Sequence, residues 1–270
     1  MGFRHTVFLV VATDWQTPQK TAFIGIVTTA EKFHRRSLIR TTYLTRLSKG
    51  GLSNRLDVRF VIARPESPAY RDLLQMEINQ YNDILILDTP ENMDDGKTYE
   101  YFSTVYQRYK TDTVPPYRFV MKTDDDVFLH LGNMEARLAA MPYNEGVYFG
   151  RHVPATGFMA GMGYVLSWDL VEWIATDPFP AHHKKGQEDA TLARWLTHGP
   201  EDASSGHRSM IQHWVSEDTE IYDEPAANKP WSHPYTPGTL LIHRLKHDEL
   251  FVKACAHFLL VPGPELRQES

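Results

Sequence analysis

Residues 117–129 read YRFVMKTDDDVFL, a stretch that places three consecutive carboxylates, Asp124 to Asp126, between two short apolar segments. Each segment has the length and composition of a buried strand. Adjacent like charges repel, and burial makes them costly unless a cation compensates them. A solvated acidic turn is the alternative, but the flanking strands enclose the triplet too tightly for an ordinary exposed loop. The stretch therefore predicts a site for a hard divalent ion such as Mg²⁺ or Mn²⁺.

The composition is that of an ordinary globular protein. The 270 residues are 42% hydrophobic and 23% charged, enough for one large domain or two small ones. A formal net charge of -6 and the lack of a basic stripe argue against nucleic acid as a partner. Cys255 is the single cysteine, which excludes an intramolecular disulfide. The apolar run at residues 7–12 is too short to span a bilayer, so no membrane segment is predicted in this chain.

Segments typical of strands and helices alternate along the chain. Strands are predicted at residues 6–12, 22–28, 58–63, 84–87, 117–122, 147–150, 163–166 and 239–242. Helices are predicted at residues 31–48, 69–80, 99–109, 168–175, 189–196 and 248–258, and long irregular loops at residues 198–238. This alternation is typical of an α/β domain with a mixed, largely parallel sheet. Ligands of such sheets bind at the carboxyl ends of the strands, where Asp124 to Asp126 fall.

Several motifs occur in the order found in one known protein family. They are RRSLIRTTY at 35–43, KTDDDVF at 122–128, GMGYVLS at 161–167 and the Glu188-Asp189 pair, with a weaker match in YNDIL at 81–85 and GKT at 96–98. These resemble the family's RRxxIRxTW, KxDDDVF, GGGYVLS and EDV motifs and its YxDIL and LKT segments. The chain thus resembles the β-1,3-galactosyltransferase-like glycosyltransferases, which include β-1,3-N-acetylglucosaminyltransferases and Fringe proteins.

Departures from the family pattern indicate a divergent member. Tyr43 stands where the family has Trp, and Ala190 replaces the Val of EDV. The cysteines of animal members are absent, and the match after Gly199 is loose apart from residues 241–246. Acceptor preference is therefore not transferred from the animal enzymes.

The resemblance implies a GT-A type, Rossmann-like fold and one catalytic domain over residues 1–270. Its donor-binding half would cover about residues 1–130 and its acceptor-binding half about residues 131–270. The implied reaction is an inverting, metal-dependent transfer of a sugar, with galactose favoured, from a UDP-sugar to a glycan hydroxyl, forming a β-1,3 linkage. UDP-N-acetylglucosamine or another UDP-sugar is the nearer alternative, and a non-catalytic carbohydrate- or nucleotide-binding module the more remote one. The family also implies the Golgi lumen as the compartment.

The implied metal is Mn²⁺ or Mg²⁺, which would bridge the two phosphates of the donor and stabilise the leaving diphosphate. In this interpretation Asp126 is a direct ligand, and Asp124 contacts the metal, its water shell or the ribose. Asp125 is a weaker ligand candidate, because neighbouring strand residues point to opposite faces, and it is assigned to donor binding. His243 is the candidate third ligand, with a packed histidine as the alternative.

An inverting transfer needs a base that deprotonates the acceptor hydroxyl. Asp189 fits by its position in the motif, and Glu188 is the adjacent alternative. Acidic residues also favour helix N-termini, so the pair could instead cap the helix predicted to begin there.

Further residues are candidates for donor binding. Arg36 and Arg40 lie at i, i+4 spacing, and a guanidinium is well suited to a diphosphate. Salt bridges to surface carboxylates are their alternative role. Lys97 and Lys122 are additional candidates. Gly161 and Gly163 would allow the backbone to approach the sugar closely, unless they only form a tight turn.

Aromatic side chains in the late loops are candidates for an acceptor platform, because aromatic faces stack on sugars. They are Trp214, Trp231 and Tyr235, together with the pair His182-His183. A tryptophan in a long loop is as often a packing anchor, and both interpretations stay open at this point.

Overall fold

The computed structural model describes residues 20–92, 94–154, 156–197 and 211–260. The strands are β1 (Lys20–Thr28), β2 (Leu56–Arg64), β3 (Ile84–Pro90), β4 (Tyr117–Asp124), β5 (Phe128–Leu129), β6 (Val147–His152), β7 (Met159–Ser167), β8 (Gln212–Val215), β9 (Ile221–Asp223) and β10 (Leu241–His243). The helices are α1 (Phe33–Thr41), α2 (Leu52–Arg55), α3 (Pro68–Tyr81), α4 (Lys97–Tyr109), α5 (Leu131–Ala139), α6 (Trp168–Thr176), α7 (Pro178–His182), α8 (Glu188–Thr197) and α9 (Asp248–Leu259). Short 3₁₀ helices cover Tyr43–Ser48 and Pro225–Ala227.

Seven strands form the main sheet in the order β3-β2-β1-β4-β7-β6-β8. Strands β1 to β4 pair in parallel, β7 is antiparallel to both β4 and β6, and β8 is parallel to β6. The predicted α/β class with a mixed, largely parallel sheet is confirmed. From β1 the chain continues to β2 and β3 on one side, then crosses over to β4 on the other side of β1. The carboxyl ends of β1 and β4 therefore flank a topological switch point, where open α/β sheets bind ligands.

A second sheet of three strands, in the order β5-β10-β9, lies beyond the carboxyl end of β4. In it β10 pairs antiparallel with β5, and Ile242 lies opposite Phe128. The amide of Leu245 also donates to the carbonyl of Asp126 at 2.9 Å. This pairing brings a late segment of the chain against the carboxylate triplet.

The main sheet is covered on both faces, as its near-continuous apolar strands predict. Ile24 and Phe119 on neighbouring strands belong to one core cluster. Phe23 and Val120, the next residues along the same strands, belong to a second cluster with Phe102 of α4. Alternate residues therefore enter the cores on opposite faces of the sheet. No helix within the described ranges combines the length and apolar character needed to cross a membrane.

Two predicted elements differ from the structure. The helix expected over residues 31–48 is divided, because α1 ends at Thr41 and a 3₁₀ helix begins at Tyr43. The hydroxyl of Thr42, at the break, donates to the carbonyl of Leu38 at 2.7 Å, a contact that often bends helices. The described part of the expected loop region 198–238 contains β8 and β9. The strand predicted at residues 6–12 lies outside the described residues.

Candidate functional site

A cavity of about 620 Å³ opens at the carboxyl ends of β1 and β4. Its wall includes Thr28 at the end of β1 and all three carboxylates of the triplet. The cationic side chains that line it are Lys32, Arg35, Lys97 and Lys246. Asp248 also lines the cavity and pairs with Arg35 at 3.1 Å. The cavity thus combines an acidic corner with walls in which basic side chains predominate, a distribution suited to a metal ion accompanied by an anionic ligand.

Three predicted metal ligands converge at the acidic corner. One ligand atom from each of Asp124, Asp126 and His243 lies within 4.8 Å of the other two. An octahedral ion about 2.1 Å from each ligand separates opposite ligands by about 4.2 Å, so side-chain shifts of about half an ångström would bring the three atoms to one ion. Two carboxylate oxygens and an imidazole suit Mn²⁺ and are compatible with Mg²⁺. The donor set therefore fits the predicted metal.

The electrostatics of Asp126 also fit a cation site. Its side chain is largely buried, and Oδ1 lies 3.7 Å from Nε2 of His243. Burial raises the pKa of the Asp126 carboxyl, and Asp124 and Asp125 raise this pKa further, whereas His243 opposes them. A bound cation would favour the ionised carboxylate and offset this cost.

Asp125 points away from this cluster. Its buried carboxylate accepts hydrogen bonds from the hydroxyl of Thr28 at 2.6 Å and from Nζ of Lys32 at 2.9 Å. The residue therefore ties the end of β4 to the end of β1 and holds Lys32 at the cavity. Asp125 also lines the cavity, so its role in donor binding stays a prediction.

Lys122 connects the triplet to the second predicted motif. The fully buried ammonium lies 2.8 Å from Oδ1 of Asp124 and donates to Oε2 of Glu188 at 2.7 Å and to the carbonyl of Gly161 at 2.8 Å. Burial alone would lower the pKa of Lys122, but the two carboxylates outweigh burial and raise this pKa. All three ammonium protons have protein partners, so the donor-binding role predicted for Lys122 does not fit. Lys122 instead holds Asp124, one of the three predicted metal ligands, beside the amino end of α8.

The two carboxylates of that helix have different surroundings. Both oxygens of Glu188 are engaged, one by Lys122 and the other by the hydroxyl of Tyr164. Burial raises the pKa of Glu188, and Asp124 adds to this effect, while Lys122 opposes it. Asp189 is half-buried and accepts two weaker contacts, from the amide of Gly161 at 3.3 Å and from the adjacent amide at 2.9 Å. Asp189 is therefore the freer proton acceptor of the pair.

The predicted donor-binding role of Arg36 and Arg40 does not fit the structure. The Arg36 side chain is 0% exposed and forms a bidentate pair with Glu77 of α3, both contacts 2.7 Å long. Arg40 binds the same carboxylate at 2.6 Å and also pairs with Asp83. The Arg36 guanidinium has no exposed surface and cannot contact a diphosphate, and the Arg40 guanidinium is engaged by two carboxylates. The pair instead anchors α1 to α3, which is a buried version of the salt-bridge alternative.

We predict that Arg36→Met lowers stability rather than donor affinity. Breaking a buried ion pair costs about 3–5 kcal/mol when the other charge is left without a partner. Arg40 still contacts Glu77 at 2.6 Å in the variant, so we expect a loss towards the lower end of this range. Equilibrium unfolding in urea measures this loss. Arg64→Met is the matched control, because Arg64 forms an exposed pair with Asp88 and should change stability by less than about 1 kcal/mol. A stable Arg36→Met protein with weakened UDP binding would restore the original assignment.

Of the remaining donor-binding candidates, Gly163 serves strand packing, whereas Gly161 and Lys97 border the site. A Cβ at Gly163 would lie 2.5 Å from Leu241, so this glycine serves the packing of β7 against β10 and not a sugar. A Cβ at Gly161 would lie 3.4–3.5 Å from the carboxylates of Glu188 and Asp189, so Gly161 borders the predicted base. Lys97 lines the cavity, although its buried ammonium also contacts Thr28 and Glu91. Burial lowers the pKa of Lys97, against the opposing effect of Glu91.

Among the described residues, the predicted acceptor residues divide between the edge of the main core and the end of α7. Trp214, Trp231 and Tyr235 are partly buried and pack against the main core, as packing anchors do. His182 and His183 are exposed at the end of α7, and His183 stacks on Phe179 with ring centroids 4.1 Å apart.

Sequence reasoning missed four residues of the site. Lys32, Arg35 and Lys246 line the cavity, and Asp223 contacts His243. The signal for Arg35 was present in the Arg-Arg pair, but the helix face that each arginine occupies depends on where α1 begins. No sequence pattern around Asp223 indicates that it contacts His243.

The chain is similar in sequence to known galactosyltransferases. Residues 34–151 match the sequence profile of the family described as Galactosyltransferase. The beta-1,3-galactosyltransferase pvg3 of Schizosaccharomyces pombe is 25% identical over 205 residues, 57% of this chain and 54% of that protein. The probable beta-1,3-galactosyltransferase 5 of Arabidopsis thaliana is 28% identical over 213 residues, 64% of this chain and 50% of that protein. This chain thus spans about half the length of these curated relatives.

Solved structures align with this chain at low sequence identity. A glycosyltransferase involved in the glycosylation of the major capsid of PBCV-1 aligns with a TM-score of 0.48 and 8% identity, covering 87% of this chain and 98% of that one.

Proposed function

Because residues 34–151 match the Galactosyltransferase family, we propose that the chain is a member of this family with a GT-A type fold, and that it transfers a sugar from a UDP-sugar to a glycan hydroxyl in an inverting, metal-dependent reaction. Galactose is the favoured sugar, and the product would carry a β-1,3 linkage. The single observation that carries the proposal is the position of Lys122. Its ammonium lies 2.8 Å from Asp124 and 2.7 Å from Glu188, so the metal cluster and the base-bearing helix adjoin.

The donor would bind along the cavity at the ends of β1 and β4. Asp124, Asp126 and His243 would hold the metal, and the lining cations would neutralise the diphosphate. The metal supplies positive charge that stabilises the departing UDP. Arg35 is half-buried and hydrogen-bonded to the carbonyl of Lys246 at 2.8 Å, so its guanidinium is already ordered before the donor arrives.

The acceptor hydroxyl would attack the anomeric carbon from the face opposite UDP, and this single displacement inverts the anomeric configuration. Asp189 would accept the hydroxyl proton as the new bond forms. Glu188 is less suited to this role because Lys122 and Tyr164 occupy its oxygens, and it would instead fix the position of α8.

This assignment keeps one catalytic domain over residues 1–270, with the donor half before about residue 130 and the acceptor half after it. The Golgi lumen stays the predicted compartment, as the family implies.

A donor screen tests the proposed function. UDP-galactose, UDP-N-acetylglucosamine and UDP-glucose are incubated with the protein and Mn²⁺, and released UDP is measured with and without candidate glycan acceptors. We expect the fastest release from UDP-galactose, its loss on adding EDTA, and a β-configured product by proton NMR. Faster release from UDP-N-acetylglucosamine would favour the nearer alternative. UDP binding without release from any donor would favour a non-catalytic module.

A further inference from the structure

A buried carboxylate lies directly behind the predicted histidine ligand. Asp223, the last residue of β9, is 1% exposed and pairs in register with His243 of the parallel strand β10. Its backbone is fixed on both sides, since its amide donates to the carbonyl of Trp231 at 2.9 Å and its carbonyl accepts from His233 at 3.3 Å. The position of this carboxylate is therefore determined by the second sheet.

The two nitrogens of the His243 ring face different carboxylates. Nδ1 lies 2.8 Å from Oδ1 of Asp223, whereas Nε2 faces Oδ1 of Asp126 at 3.7 Å. An ionised carboxylate can only accept a hydrogen bond, so Nδ1 carries the proton in this contact. The neutral ring then presents the lone pair of Nε2 to the acidic corner, as a metal ligand must.

The second oxygen of Asp223 is held by Arg244. Nε of Arg244 donates to Oδ2 at 2.9 Å. Arg244 has a left-handed backbone conformation with φ of 66°, which is costly for a long side chain and persists only where the surroundings impose it. The chain accepts this strain at the residue that follows His243, and the resulting contact keeps Asp223 charged and oriented towards the imidazole.

We propose that Asp223, supported by Arg244, is a positioning residue that fixes the tautomer and ring orientation of His243, so that Nε2 points at the metal. This inference rests on the proposed function, because the metal role of His243 belongs to it. An outer carboxylate on a ligating imidazole commonly accounts for about 10–100-fold of metal affinity. Asp223 touches neither metal nor substrate, and it acts only through His243.

The test compares Asp223→Asn with the unmodified protein by two measurements. The first is nitrogen-15 NMR of the histidines without metal at about pH 8, where an unperturbed imidazole is neutral. We expect the Nδ1-protonated form of His243 in the unmodified protein and a mixture of tautomers in Asp223→Asn. The second is Mn²⁺ affinity by titration calorimetry, where we expect a loss of about 10–100-fold. Asp218→Asn is the control, because Asp218 is exposed and its carboxylate pairs with Arg151 and not with His243.

A double-mutant cycle separates positioning from general structural support. In a His243→Ala background, Asp223→Asn should cause no further loss of Mn²⁺ affinity, since the side chain it orients is gone. The proposal would be overturned if the losses of Mn²⁺ affinity caused by the two single substitutions multiplied in the double mutant. An unchanged His243 tautomer in Asp223→Asn would also overturn it. If Asp223→Asn unfolds, the same two measurements are made on Arg244→Gln, which keeps the Asp223 carboxylate. A protein that binds no Mn²⁺ refutes the metal role, but the NMR comparison still decides whether Asp223 sets the tautomer.

Discussion

Asp126→Asn is expected to weaken Mn²⁺ binding by at least about 100-fold and to bring metal-dependent UDP binding below detection. The variant removes the negative charge of a proposed direct ligand, an effect that should exceed the 10–100-fold typical of outer contacts. The fold should be retained, because burial raises the pKa of Asp126 and the ionised carboxylate is therefore a cost to the folded protein. Titration calorimetry with Mn²⁺ alone, followed by UDP, measures both affinities.

Asp125→Asn is the matched control within the same triplet. Its carboxylate faces Thr28 and Lys32, so its loss should disturb the link between β1 and β4 more than the metal. We expect a smaller loss of Mn²⁺ affinity than for Asp126→Asn and a larger loss of stability. The opposite order of the two Mn²⁺ affinities would move the metal ligand to Asp125.

Asp189→Asn is expected to separate chemistry from binding. The amide keeps the shape of the side chain but cannot accept the proton of the acceptor hydroxyl. Turnover should fall by about 10²–10⁴-fold, the usual contribution of a general base, while Mn²⁺ and UDP affinities stay near their original values. Steady-state rates with the preferred donor, together with calorimetry, measure the two effects. If Asp189 only stabilises the helix end, the variant should keep its activity, since Asn also suits that position.

Glu188→Gln is the comparison for Asp189→Asn. This variant removes one of the two carboxylates that compensate Lys122, so we expect lower stability and a smaller decrease in turnover. An active Asp189→Asn protein beside a folded but inactive Glu188→Gln protein would transfer the base role to Glu188. Activity in both variants would mean that neither carboxylate is the base.

The sequence alone determined the class of fold and the place of the site. Strands such as β1 and β4 are continuous apolar runs. Their prediction depends only on consecutive residues, which the sequence shows directly. The triplet that follows β4 lies at a strand end by sequence position, so its place at the carboxyl edge of a parallel sheet follows from topology. The motifs around Asp126 and Asp189 likewise lie within short segments, which is why they are readable from the sequence.

Tertiary structure decided what each charged side chain does. Arg36 was interpreted as a donor ligand, but the start of α1 turns it inward to Glu77 and leaves Arg35 at the cavity. Lys122 meets Glu188, 66 positions later, and Asp223 reaches His243 across two strands of the second sheet. Such partners are set by strand pairing and helix orientation between distant segments. A sequence pattern encodes only which face a residue occupies, and not which distant charge will lie opposite it.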